Sequence, residues 1–344
     1  MEEELIALYN ELYEKIKKYI KENFRTILLF TLLYVLLTYP LPYTIYTTGG
    51  IINIADKVSL EKEYQQQGSF NFSYVSEVKS TITTVLLSYI IPSWDLIKAS
   101  TTISPNENIS DTEFRDQMFL TDSIQNATIF IYYKLGKKVD INDKKYYVVY
   151  VDKIADTNLK VKDEILAING NKMKDITDYM KIVNASNYGD ELTLQVRTAD
   201  HVIKNKYVKV LNYQNNKITG IYVIPKIDYE TSPKITYHFF GNESGPSGGL
   251  MLALTIYNKL TPEDITKGKK IVGTGTIDIK GNIGQISGIE YKLKGAVSQK
   301  ADLFFAPNGK NYEEAINLKK KYNYKIPIIG VSTFDDALNY LEMM

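Results

Sequence analysis

From Thr26 to Ala55 the chain carries no charged residue. A charge-free stretch of that length belongs in lipid, in a buried core or in a cleaved leader. Its first part, Thr26-Ile-Leu-Leu-Phe-Thr-Leu-Leu-Tyr-Val-Leu-Leu-Thr-Tyr39, is densely apolar. Continued through Pro40-Leu-Pro-Tyr-Thr-Ile-Tyr46, it reaches about 20 residues, the length needed to cross about 30 Å of hydrocarbon. The pattern predicts a transmembrane helix over 26–47, with Tyr39, Tyr43 and Tyr46 as interfacial anchors. Pro40 and Pro42 loosen the helix where it leaves the bilayer. No A-x-A cleavage pattern of a signal peptide is found. Lys15, Lys17, Lys18, Lys21 and Arg25 precede the run, and only Lys57 and Lys62 occur in 47–70. The positive-inside bias then places the N-terminus in the cytoplasm and the rest outside, as a single-pass protein of the cell membrane. Residues 1–25 form an amphipathic leader, with Leu5, Leu8, Leu12, Ile16 and Ile20 at helical spacing.

Composition narrows the function. Lys and Arg total 41 against 40 Asp and Glu, a net charge of +1, which argues against a nucleic-acid partner held by bulk charge. The absence of cysteine excludes disulfides, thiolate nucleophiles and cysteine zinc sites. His201 and His238 are too far apart for an HExxH zinc motif. No Gly-x4-Gly-Lys-Ser/Thr loop occurs. Neither metal, nucleotide nor other cofactor is expected.

The 344 residues allow two domains and some extra. Residues 48–135 parse poorly. Ser80–Trp94 is a second charge-free run, too short to span a membrane and expected to be a buried strand or helix. Residues 104–112 read as a surface loop. Residues 136–213 read as a small β-rich module. Tyr146–Val151 is strand-like, Asn169-Gly170 makes a tight turn, a short helix covers Asp175–Val183, and Leu192-Thr-Leu194-Gln-Val196 alternates as a strand. With Asp163-x-Ile165 and Ile168-Asn169-Gly170 in place, this order resembles a PDZ domain. Lys162 stands where that family usually has glycine, and no Gly-Leu-Gly-Phe-like loop precedes the first strand. Peptide capture by strand addition is what the resemblance implies; a spacer that positions the next domain is the other reading.

Residues 214–344 alternate strands and helices, as an α/β or α+β domain does. Gly245-Pro-Ser247-Gly248-Gly249 opens an apolar helix. Free N–H groups at a helix start suit an oxyanion beside a serine nucleophile, although a serine there can also be a plain N-cap. In the later helix, Ser287-Gly-Ile-Glu290 reads as a capping box. Ile289, Leu293, Ala296 and Val297 form its apolar stripe. Lys292 lies at the edge of that stripe, whereas Lys294 can pair with Glu290 in solvent. A lysine pushed into an apolar site loses affinity for its proton and can serve as a general base; otherwise it snorkels.

In order, Gly-Pro-Ser247-Gly-Gly, Gly273-Thr274-Gly275-Thr-Ile277, Gly281-Asn-Ile-Gly284, Ser287-Gly-Ile-x-x-Lys292 and Phe304-Phe-Ala-Pro307 resemble the proteolytic domain of Lon-type serine proteases. The series of anchor, PDZ-like module and Lon-type domain is similar, more narrowly, to the membrane-anchored, pheromone-processing YlbL-type family of bacteria. The resemblance implies an α+β multidomain chain: cytoplasmic leader 1–25, transmembrane helix 26–47, extracytoplasmic membrane-proximal region 48–135, PDZ-like module 136–213 and Lon-type domain 214–344. It implies Ser247 as nucleophile, Lys292 as general base and Thr274 as the residue orienting the lysine. Backbone at Gly245 and Gly248 would serve the oxyanion, and a homo-oligomer is implied by the rings such domains form. Gly248 replaces the family's usual alanine and Ser287 the first glycine of Gly-Gly. Ser244 is a nearby rival serine without that setting, and His238 reads as structural or substrate-facing. The expected function is an ATP-independent, membrane-anchored, extracytoplasmic serine endopeptidase that processes secreted peptides, unfolded segments or exposed parts of membrane proteins. The alternative is a catalytically silent peptide-binding scaffold.

Overall fold

The computed structural model describes residues 2–98, 107–240, 243 and 245–344. The expected loop at 104–112 and the rival Ser244 fall wholly or partly outside the described residues. The chain divides into two compact units, Met1–Thr47 with Glu77–Thr102, and Thr48–Ser76 with Ile103–Met344.

The first unit begins with α1 (Glu2–Glu22) and α2 (Phe24–Thr38). The leader helix of the sequence reading is α1, with exposed ion pairs such as Lys15 to Glu11 at 2.6 Å. The predicted transmembrane helix does not form. The charge-free run divides at Pro40, where a strand, Pro40–Asn53, takes over. Proline offers no N–H and disfavours helical backbone in the residue before it. The Tyr-Thr-Ile-Tyr-Thr-Thr run that follows is rich in β-branched and aromatic residues suited to a strand. The 15 residues of α2 span only about 22 Å at 1.5 Å per residue, short of about 30 Å. Among the described residues no helix is long and apolar enough to cross a membrane. The strand pairs antiparallel with Trp94–Lys98, from Tyr43 opposite Lys98 to Thr47 opposite Trp94. Between them α3 (Ile82–Ser88) starts at a Thr81 capping box and has no buried residue. Past Ser80 the second charge-free run is thus not buried: Tyr89 and Ile90 are largely exposed.

Two larger sheets organise the second unit. In one, Ile328–Val331, Leu303–Pro307, Lys270–Gly273 and Ser69–Thr81 lie side by side in that order. They run parallel, with Phe304 opposite Ile328 and Val272 opposite both Phe304 and Asn71. Helix α4 (Ile109–Lys134) packs against the helix Gly249–Leu260 and against the strands Lys138–Val151 and Ile221–Ser232, and Asn108 caps its start by accepting from the Asp111 N–H at 3.0 Å. The second sheet is antiparallel, in the order Ile221–Ser232, Lys138–Val151, Glu164–Ile168, Glu191–Arg197, Ile203–Lys209. Asn169 and Gly170 both take positive φ, 48° and 77°, as a type I′ hairpin turn needs. Helix α5 (Ile176–Ala185) starts at an Asp175 capping box. Tyr146, Val148, Ile165, Ile168, Tyr179, Leu192, Leu194 and Val196 fill this module's own core. The module's sheet runs past residue 213, because Ile221–Ser232 pairs with Lys138–Val151 from Ile221 opposite Val151 to Ser232 opposite Lys138.

Helices α6 (Gly249–Leu260), α7 (Ile289–Ser298), α8 (Lys310–Tyr322) and α9 (Phe334–Met343) complete the unit. Leu250, Met251, Ala253 and Leu254 of α6 share one apolar cluster with Ala127, Ile131 and Tyr132 of α4 and Phe305 of the parallel sheet. Ile289, Leu293 and Ala296 of α7 pack with Val272, Phe304 and Ala306 in another. The nucleophile candidate therefore stands at the start of a helix buried at every residue but Tyr257, and the lysine on a helix packed on the same sheet.

Candidate active site

Gly245 turns the chain into α6 at φ +92°, a conformation that favours glycine. Ser247 follows two residues later, and Gly248 is the N-cap of α6. The Ser247 carbonyl is held from two sides: the Gly275 N–H donates to it at 2.7 Å and Thr274 Oγ1 donates to it at 3.1 Å. The Gly275 carbonyl in turn accepts from the Leu250 N–H at 3.1 Å. Thr274 is itself fixed, fully buried and with its N–H donating to the Phe305 carbonyl at 3.1 Å. The serine is thus tied to the end of the Lys270–Gly273 strand. No hydrogen-bond partner of its hydroxyl is found among the described residues.

Lys292 reaches the same threonine. Its Nζ donates to Thr274 Oγ1 at 3.3 Å. The side chain is 5 % exposed, and burial lowers its pKa from 10.5 to about 8. Removing an ammonium from water favours its neutral form, and no carboxylate pairs with Lys292 among the described residues. Lys294, two residues on, differs: burial pulls its pKa down, but its Nζ is paired with Glu290 at 2.6 Å, and that hydrogen bond and charge bring the net shift upward. The same helix shows why. Lys292 lies one residue from Leu293 and three from Ile289, both fully buried, whereas Lys294 and Glu290 share the opposite side.

The expected capping box at Ser287 is absent. Gly288 is the N-cap of α7, at φ +74°, with no side-chain cap. A Cβ there would meet Val75 at 2.8 Å, so the left-handed glycine starts the helix one residue later than the pattern suggested. Glu290 pairs with Lys294 instead.

Of the two glycines expected to serve the oxyanion, Gly245 has its N–H directed at the Asp116 carbonyl at 3.3 Å. Gly248 stands at the helix start, where backbone donors and the helix dipole favour negative charge. Its side-chain space is taken: a Cβ there would lie 2.3 Å from Cε1 of Phe72. His238 contacts Ser59 Oγ through Nε2 at 3.1 Å, which gives it a structural partner.

Three further residues touch the loop that carries Ser247. Phe72 packs on Gly248. From α4, Ser123 Oγ donates to the Pro246 carbonyl at 3.3 Å, and the Asp116 carbonyl accepts from Gly245. All lie more than a hundred residues before Ser247, and no local sequence motif marks them.

Residues 238–343 match the family model described as Lon protease (S16) C-terminal proteolytic domain. Two curated proteins named Lon protease are similar. One, from Aster yellows witches'-broom phytoplasma (strain AYWB), is 30 % identical over 97 residues, 28 % of this chain and 12 % of that protein. The other, from Campylobacter jejuni subsp. jejuni serotype O:2, is 28 % identical over 124 residues, 35 % of this chain and 15 % of that protein. The chain thus spans under a sixth of the length of these relatives. Among solved structures, the PDZ domain of an SdrC-like protein from Listeria innocua is similar over 23 % of this chain and 92 % of its own, at 18 % identity and a TM-score of 0.21. The proteolytic-domain match and the names of both curated relatives support a serine protease.

Proposed function

We propose that the chain is an ATP-independent serine endopeptidase with a Ser247–Lys292 dyad. One observation carries this: the buried Lys292 ammonium and the Ser247 backbone share one threonine hydroxyl. Thr274 Oγ1 spends its proton on the Ser247 carbonyl and its lone pair on Lys292 Nζ. The lysine so held is half neutral near pH 8, which suits a general base at ordinary pH.

In the reaction, Ser247 Oγ attacks the scissile carbonyl while neutral Lys292 takes its proton. The charge that develops on the carbonyl oxygen falls at the start of α6, beside Gly248. Lys292 then returns the proton to the leaving amine, and water repeats the cycle on the acyl-enzyme. Thr274 holds the lysine in line through both halves. The sequence has no phosphate loop for a nucleotide-driven motor, so the substrates proposed are peptides and unfolded segments that reach the site without being pulled. The antiparallel module would present or select them.

A silent scaffold would tolerate an exposed Lys292 remote from the serine loop. The burial and the shared threonine speak for chemistry instead. The test is a pool of unstructured peptides incubated with the wild-type chain, Ser247→Ala and Lys292→Ala, with new termini read by mass spectrometry. Cuts present only with wild type, and unchanged in number by added ATP, are the expected result. Cuts that persist in either variant would refute the dyad.

A further inference from the structure

Helix α4 touches both the antiparallel module and the nucleophile loop, and it does so with buried polar side chains. Gln125, 1 % exposed, donates through Nε2 to the Pro225 carbonyl at 2.7 Å, and its Oε1 accepts from the Ile227 N–H at 3.0 Å. Pro225 and Ile227 belong to the Ile221–Ser232 strand, which among the described residues has a strand neighbour, Lys138–Val151, on one side. A side-chain amide here makes the two bonds that a neighbouring peptide unit would make. The second Nε2 proton goes to Asp122 Oδ1 at 3.0 Å, and Asn126 donates to the other oxygen of that carboxyl at 3.1 Å. Two residues from Gln125, the buried Ser123 donates to the Pro246 carbonyl at 3.3 Å. Two helical turns before Ser123, the Asp116 carbonyl holds the Gly245 N–H. Pro246 and Gly245 are the two residues before the nucleophile.

We propose that α4 is a positioning helix for the nucleophile loop, and that Gln125 sets its register by locking it to the Ile221–Ser232 strand while Ser123 and Asp116 hold Pro246 and Gly245. The proposal adds to the peptidase reading a residue that touches neither substrate nor reacting atom. A rigid helix carries displacement along its length, so an α4 released at Gln125 shifts its hold on the loop. A misplacement on the order of 1 Å at a nucleophile costs up to about a hundredfold in rate.

The test uses the full chain. In Gln125→Ala, backbone amide exchange rises about tenfold at both 225–228 and 245–249, and kcat for peptide cleavage falls about tenfold with KM within about twofold. Ser123→Ala produces the same rise at 245–249 and the same loss of kcat, with exchange at 225–228 unchanged. The double variant loses no more kcat than either single one, because both act through one helix. Unchanged exchange at 245–249 in both variants overturns the proposal, as does a double variant whose losses multiply. If Gln125→Ala does not fold, Ser123→Ala decides by its own exchange at 245–249. If wild type shows no Ser247-dependent cleavage, the peptidase reading fails while the exchange measurement still decides the positioning role.

Discussion

Lys292 Nζ lies 3.3 Å from Thr274 Oγ1, and that one hydroxyl connects the buried amine to the backbone of Ser247. The contact divides labour. Burial makes the lysine give up its proton, and the threonine keeps the amine in place without adding a negative charge that would make it hold on.

The pH dependence of cleavage follows from the lowered pKa. In the proposed mechanism only neutral Lys292 accepts a proton from Ser247, so kcat/KM should rise with pH and level off above a pKa of about 8. A pH–rate profile on a peptide without titrating groups measures this. A rate flat from pH 6 to 10 would remove Lys292 from the role of base.

Stability moves with the same group. Folded Lys292 releases its proton at about pH 8 and the unfolded lysine at about 10.4. Between those values the unfolded chain binds more protons, so this contribution to stability rises with pH. Its cost is fully present below pH 8 and is relieved as the pH rises towards the unfolded value. Lys292→Met, inactive, should therefore be more stable than wild type at pH 7 by about 1–3 kcal/mol. The gain should shrink by pH 10, as read by denaturant unfolding at the two pH values.

Thr274 separates orientation from burial. Thr274→Val keeps the volume and removes both hydrogen bonds, and should lower kcat about a hundredfold. Thr274→Ser keeps the hydroxyl and should retain most of the rate. Equal losses in the two variants would mean that packing rather than the hydroxyl matters.

Gly248 and Phe72 form a matched pair. The Cβ of Gly248→Ala would lie 2.3 Å from Phe72 Cε1, an overpacking expected to cost about 1–3 kcal/mol. Phe72→Leu should recover much of that loss in the double variant. Thermal unfolding of the four proteins gives the coupling, and strict additivity would show that the two sites do not meet.

In the antiparallel module, Asp163 is 2 % exposed and pairs with Lys206 at 2.7 Å while accepting from the Lys160 N–H at 2.7 Å. Lys206→Met leaves a buried carboxylate without its counter-charge and should cost about 3–5 kcal/mol. Changing both residues to apolar ones of similar size should cost much less. Urea unfolding of the single and double variants tests this.

What could be read from the chain was local. The Gly-Pro-Ser247-Gly-Gly turn, the Asn169-Gly170 hairpin and the different settings of Lys292 and Lys294 each follow from a few neighbouring residues, and the fold has them. The apolar count that suggested a transmembrane helix let Pro40 loosen that helix, where it stops it, and ran on through Tyr43–Thr48, which favours a strand. The Ser287 pattern failed because a left-handed Gly288 overrode it. Ser123, Gln125 and Phe72 were invisible for a different reason. Each acts on a partner a hundred or more residues away, and a buried serine or glutamine in a helix has no periodic signature of what it will meet.

One pairing carries a consequence for the chain as a whole. The chain leaves α4 into the module at Lys138 and comes back at Ser232, and these two residues face each other across the sheet, about 5 Å apart at Cα. To the parallel-sheet core, everything between them is a hairpin with a very large tip. Closing a loop costs free energy only as the logarithm of its length. A module of another size, or a tight turn in its place, costs that core the contacts that α4 makes with the module: those of Gln125, the cluster of Met118 with Val149 and Ile224, and the Lys162–Asp111 ion pair. The two halves are therefore free to change at different rates, while α4, packed on both, must keep pace with each.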